Sequence, residues 1–311
     1  MRKGVAALTD ASQIRAHRWW LFVLLLLAGA SHWLVASVRP NASSTLASEA
    51  VGCAWAALVA LAFGLQRSTP SATLQPPAKT VYLRWFFAGA MLFGGPTIAL
   101  LIPGRELDSG ALTIALALTP IIIAIAASAF GTGSSEGIAG RIWPSLAAVA
   151  GLLLVLVQPS LGDVRADLAL LLAPLLTGVG AALFTIDEPR SARRIPLALF
   201  GASTLFFVAL AAVRFSSGVR PIVSLIAIAC DGVLSLLSII TLAQLGATRW
   251  SSQFTWVPLL IILEGIVMVR PPLTTHWIVG LALLLLAGIY LLLPAEDEPA
   301  SSASPVPTLP R

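Results

Sequence analysis

Ten apolar stretches, each long enough to cross a bilayer, fill the chain from Trp19 to Pro294. A membrane-spanning helix needs about 20 mostly apolar residues, and polar connections, most of them short, separate each stretch from the next. The chain has 311 residues, 58% of them hydrophobic and only 11% charged, with a mean hydropathy of +0.92. A soluble domain of that size has too little polar surface to cover so much apolar side chain. The sequence therefore predicts an all-α integral membrane protein with the lipid bilayer as its first partner.

The expected spans are 19–38, 46–66, 80–103, 110–130 and 142–158, then 167–186, 196–213, 221–244, 252–269 and 273–293. They divide the chain into a cytoplasmic segment 1–18, a five-helix half 19–158, a second five-helix half 159–294 and a tail 295–311. The tail is rich in Pro and Ser and reads as disordered. The first apolar run continues past Ala30 to Val38, too long for a cleaved signal peptide, so it is expected to be a retained span.

A formal charge of +5 and an isoelectric point near 10.0 do not indicate nucleic acid, because the cations sit in the connections rather than on one face. Placing the N-terminus inside puts Arg2, Lys3, Arg15, Arg18, Arg141, Arg190, Arg193 and Arg194 among the cytoplasmic cations, against a smaller outer set that includes Arg39, Arg105, Arg165 and Arg270. Both termini are expected in the cytoplasm and the chain in the plasma (inner) membrane. Cys53 and Cys230 lie singly within apolar stretches and read as packing residues rather than a disulfide or metal pair. Asn41-Ala42-Ser43 matches a glycosylation acceptor, which a tripeptide matches often by chance. Trp19, Trp20, Trp143, Trp250 and Trp277 fall at helix ends and read as an interfacial belt.

The two halves echo each other. When Pro258 is laid on Pro120, Gly232 falls on Gly94, Leu245 on Leu107 and Ile261 on Ile123. Five spans per half is an odd number, so a repeat of this kind enters the membrane upside down, a recurring plan among secondary transporters.

Three ionisable side chains lie well inside spans: His32, Asp231 and Glu264. At about 1.5 Å per residue, His32 stands roughly 20 Å up the first span from the cytoplasm and Glu264 roughly 18 Å up the ninth. Asp231 stands roughly 15 Å down the eighth from outside. These depths allow one shared site. An acid at helix centre costs about 2.5–3.5 kcal/mol on insertion scales, and such groups usually face a cavity. The functional reading is a titratable cluster coupled to substrate or proton movement; the structural alternative is a hydrogen-bonded group that holds helices together. Glu49 lies nearer the outer interface and reads as solvated. Pro120 and Pro258 each remove a backbone donor, leaving the carbonyls of Leu116 and Phe254 to find other partners. Thr119, Gln253 and Thr255 adjoin these breaks as a candidate polar lining, with Trp33 and Trp85 as candidate cavity walls.

The segment Gly29-Ala-Ser-His-Trp-Leu-Val-Ala-Ser-Val-Arg39 resembles the first helix of the EamA family within the drug/metabolite transporter superfamily. Pro120 and Pro258 sit where that family has a proline in the fourth helix of each half. Trp277-Ile-Val-Gly-Leu-Ala-Leu-Leu-Leu-Leu-Ala-Gly288 is similar to its closing helix. The chain departs from the pattern at Glu49, where an arginine is common, and in lacking the glutamates that often follow the fourth and ninth helices; Arg270 stands at the second place. The resemblance implies ten helices, cytoplasmic termini and a central cavity lined by the third, fourth, eighth and ninth helices with help from the first. The implied function is secondary transport, most simply export of small metabolites, amino acids or drugs; a lipid-linked substrate flippase is the alternative. A homodimer is left open. An intramembrane enzyme needs a nucleophile and base at one depth. Only His32 of the three histidines is at depth, and no H-E-x-x-H, G-x-S-x-G or P-loop motif occurs, so no enzyme, cofactor or metal is expected.

Overall fold

The computed structural model describes residues 19–32, 41–67, 79–100, 109–131, 135–156, 164–186, 193–218, 220–270 and 274–293. The terminal segments 1–18 and 295–311, and Trp33, lie outside them. In chain order the helices are α1 (Trp19–His32), α2 (Ala42–Arg67), α3 (Lys79–Leu100), α4 (Ser109–Leu116), α5 (Thr119–Ala129) and α6 (Ser135–Val155). There follow α7 (Val164–Thr185), α8 (Arg194–Ser217), α9 (Leu225–Trp250), α10 (Gln253–Val269) and α11 (Thr275–Leu292). No strand occurs among the described residues. Each expected span contains helix, and the fourth contains two pieces because α4 stops before Pro120.

Among the described residues, six helical stretches are long and apolar enough to cross a membrane: Ala42–Gly64, Ala111–Ala129, Asp167–Thr185, Arg194–Phe215, Leu225–Trp250 and Thr275–Leu292. Trp19–His32, Gly140–Val155 and Gln253–Val269 are apolar but shorter. A helix suits this medium because all its interior backbone groups bond within the segment. Asn41 starts α2 by accepting a hydrogen bond from Ser44 N–H at its side-chain oxygen, 2.8 Å away, so the residue of the acceptor tripeptide serves as a helix cap.

Alanine fills many buried positions while many large apolar side chains face outward. Ala56, Ala57, Ala88, Ala198 and Ala202 are completely buried, whereas Leu58, Phe63, Phe87, Leu171, Val208 and Leu286 are exposed. Small residues inside let helices approach closely where lipid removes the hydrophobic drive for association. α3 packs on α7 and α8, α2 on α8 and α9, and α6 on α11. Glycine sits at each of these crossings except one already lined by alanine. A methyl group on Gly89 would overlap the backbone of Ala198, and one on Gly201 that of Phe86. A methyl group on Gly151 would lie 2.7 Å from Gly280 O, and one on Gly280 would lie 2.8 Å from Gly151 O.

Two arginines close helix ends. Arg194 donates to Phe184 O in the last turn of α7 and lies over the Phe184 ring, 3.8 Å from its centroid. Arg141 Nη1 donates to Leu291 O at the end of α11, 2.8 Å away. A cation at a helix C-terminus meets carbonyls that have no helical partner.

The crossings predict a contrast. Gly89→Ala and Gly201→Ala each force α3 and α8 apart and should cost about 1–3 kcal/mol, lowering the thermal midpoint in detergent. Gly140, exposed on α6 with nothing near its added methyl group, should tolerate alanine and gain up to about 1 kcal/mol.

Candidate functional site

Helix α9 presents Asp231, Ser235 and Ser238 at spacings of four and three residues, which place them along one face. That face is almost fully buried and turns toward a cavity of about 380 Å³. The lining draws on seven helices and on the α4 residues Thr113 and Leu116: His32 comes from α1, Glu49 from α2, Phe93 from α3, Thr177 from α7 and Phe206 from α8. α10 contributes Phe254, Val257, Pro258 and Ile261, again at helical spacing.

The acid on α9 is held from two sides. Ser48 Oγ donates to Asp231 Oδ2 at 2.5 Å, and His32 Nε2 stands 3.7 Å from Asp231 Oδ1. Asp231 is buried while the His32 side chain remains 24% exposed. One turn further along, Cys53 Sγ donates to Ser235 Oγ at 3.3 Å. The pairing of α2 with α9 depends on Gly52 and Gly232: a methyl group on either would come within 2.8 Å of the other's backbone.

The opposite end of the cavity is closed by the turn between α9 and α10. Gly246 breaks the helix with φ 79 and ψ 165, a conformation open in practice only to glycine. Trp250 then folds back, its Nε1 donating to Ser238 Oγ at 3.2 Å, and packs edge-to-face on Phe254 at 5.4 Å. Trp250 is 2% exposed. The interfacial expectation therefore fails for this residue, since its indole finds a partner inside the bundle; Trp19, Trp20 and Trp143 are exposed as a belt requires.

Of the ten residues singled out from sequence, His32, Asp231, Gln253 and Pro258 line the cavity. Thr119 and Thr255 are completely buried and are not part of the lining, and their hydroxyls have no hydrogen-bond partner among the described residues. Pro120 occupies the first turn of α5, where its missing N–H costs little. Leu116 and Phe254, whose carbonyls the two prolines deprive of a helical donor, both line the cavity. Trp85 is buried against Tyr82, 5.7 Å between ring centroids, and is not part of the lining. Glu264 is half-buried on α10, one turn beyond Ile261, and stands outside the lining, so depth along the helix did not suffice to bring it to His32 and Asp231. Glu49, expected in solvent, is half-buried and lines the cavity instead. Ser235, Ser238 and Thr177 were missed, although the spacing of Asp231, Ser235 and Ser238 is visible in the sequence.

No group of three or more His, Cys, Asp or Glu able to hold a metal ion occurs among the described residues. No family model matches the chain, and no curated protein is similar to it. Its fold is similar to that of 27 chains of solved structure. One of them, described only as "Crystal structure of protein", covers 91% of this chain and 99% of its own at 18% identity, with a TM-score of 0.64. That likeness is one of fold.

Trp250 gives the site a stability test. Trp250→Phe keeps the ring packing and loses one buried hydrogen bond, an expected cost of about 0.5–1.5 kcal/mol. Trp250→Ala removes the floor and should cost about 3–5 kcal/mol. Thermal unfolding of the purified variants measures both, and equal midpoints would refute the packing role.

Proposed function

We propose that this chain is a secondary transporter of the EamA type within the drug/metabolite transporter superfamily, a carrier rather than an enzyme. It exports small metabolites, amino acids or drugs across the plasma membrane by alternating access, with ten spans and both termini cytoplasmic. The observation that supports this most is the cavity itself. Helices from both halves line it, an acid buried among apolar helices is held at one end, and a tryptophan closes the other. Its volume, about 380 Å³, is in the range of small-molecule sites and favours a small solute over a lipid-linked one.

The glycine contacts support two inverted halves. Gly29 of α1 meets Val257 of α10, and Gly178 of α7 meets Ile122 of α5. Gly52 of α2 meets α9 at Gly232, and Gly201 of α8 meets α3 at Phe86, one turn from Gly89. Taken helix by helix, the α1–α10 contact corresponds to the α7–α5 contact and the α2–α9 contact to the α8–α3 contact, and Gly29 stands as far from Gly178 as Gly52 does from Gly201. In an inverted repeat such paired crossings arise because each half supplies the same surface to the other.

Alternating access requires that the Trp250–Ser238 contact open when the opposite end closes. With no P-loop motif in the sequence, the energy for export is assigned to a gradient or to the substrate itself.

Two measurements test the reading. Tags inserted at Gly133 and Asp163 should map to opposite membrane faces, and labelling from one face rejects the inverted topology. In liposomes, Asp231→Asn should slow transport of a carried solute at least tenfold while inserting normally; unchanged rates would remove the cavity from the route.

A further inference from the structure

The polar groups at the two ends of the cavity differ in how far they are already engaged. At the His32 end, Asp231 accepts from Ser48 Oγ at 2.5 Å and stands 3.7 Å from His32 Nε2, so its oxygens are held within the protein. At the Trp250 end stands Gln253, in the first turn of α10. It is 8% exposed and lines the cavity. Its carboxamide has no hydrogen-bond partner among the described residues. Unlike Gln244, whose side-chain oxygen is sealed inside the bundle, Gln253 keeps its polar atoms open to the cavity.

Ser238 supplies a second polar group at this end. Its Oγ accepts from Trp250 Nε1 at 3.2 Å, and its own proton is donated to no described residue. A hydroxyl can donate as well as accept, so one hydrogen bond remains to be made from a side chain that also lines the cavity. The surroundings are apolar: Trp250 and Phe254 stand edge-to-face with centroids 5.4 Å apart, beside Leu116, Val257 and Pro258. Among the described lining residues none is Lys or Arg. The groups left to meet a solute here are neutral and set against aromatic surface.

A carboxamide carries an acceptor and a donor side by side in one plane. Its complement is a group with a donor beside an acceptor, the pairing by which glutamine reads the N6 and N7 edge of adenine. We propose that the Trp250 end of the cavity recognises an uncharged planar solute with an amide edge, the edge shared by aromatic amides, lactams and nucleobases. The solute N–H donates to Gln253 Oε1 and its carbonyl accepts from Gln253 Nε2. The second lone pair of that carbonyl accepts from Ser238, and the ring packs on the Trp250–Phe254 pair. A charged solute would lose its hydration at this end without a fixed counter-charge. Given the transport reading above, this is the class of solute carried.

The test uses four probes of one shape: benzamide, acetophenone, which lacks the N–H, benzoate as the anion and benzamidinium as the cation. Calorimetric titration of the purified full chain in detergent should show benzamide binding, with each of the others at least tenfold weaker. That is the order expected when a buried acceptor is left unmet or a charge is buried unpaired. Gln253→Leu should weaken benzamide more than acetophenone and bring the two to about parity. A purely structural role for Gln253 would weaken both alike and keep their ratio. Gln253→Met, closer in shape, gives a second variant should Gln253→Leu fold poorly, with the same expected loss of discrimination. No benzamide binding, equal binding of acetophenone, tighter binding of either ion, or an undiminished ratio in both variants would overturn the assignment. Counterflow assays in liposomes separate this from the transport reading. A carried ion with no benzamide bound overturns the amide class alone. Benzamide bound as described with no solute carried supports the amide class and overturns transport.

Discussion

The contact between Gly52 and Gly232 governs the geometry of the cavity. Neither residue has a side chain, so α2 and α9 approach until backbone meets backbone. Ser48 lies one turn before Gly52 and Asp231 immediately before Gly232, so this approach is what sets the hydroxyl 2.5 Å from the carboxylate. Any larger residue at the crossing would separate the helices by the width of a methyl group or more. The acid would then lose the donor that orients it, and Cys53 would part from Ser235 one turn away. A hydrogen-bond network in an apolar medium thus rests on a contact that contains no polar side chain.

The same economy explains why the bundle holds polar groups at all. With alanine and glycine at the helix crossings, close packing brings hydroxyls within reach of carbonyls across helices, as where Ser203 donates to Ala50 O at 2.8 Å. Each such bond is worth about 1–2 kcal/mol at most in a membrane. A buried acid costs more than one of them returns. Asp231 has Ser48 and His32 together, and faces a cavity rather than acyl chains, which is the setting in which an intramembrane carboxyl group is tolerated.

Hydropathy made the helices legible, because a bilayer admits few alternatives to a long apolar helix. The break before Pro120 was legible for the same local reason, and so was the meeting of His32 with Asp231, which similar depths suggested. Position around a helix and the tilt of one helix against another were not. Glu264 matched the other two in depth and even continues the spacing of Val257 and Ile261, but it lies outside the cavity lining. Glu49 was placed by its distance from the helix start alone, which says nothing of the direction in which α2 presents it. Trp250 was placed at an interface because it ends a helix. The sequence contains Gly246, but glycine takes either sign of φ, so the bend there was not legible from the residue alone.

That turn decides which end of the cavity is closed. A helix continuing through Gly246 would carry Trp250 away from Ser238, and the indole N–H would lose its partner. The kink at Gly246 turns the last residues of α9 and returns Trp250 to Ser238, where Phe254 packs on it. Phe254 is also the residue whose carbonyl Pro258 leaves without a helical donor, and it too lines the cavity. One glycine and one proline therefore shape the closed end from its two strands of helix: the first brings an aromatic floor inward, the second loosens the backbone directly above it. At the other end, the His32 side chain beside Asp231 stays partly exposed.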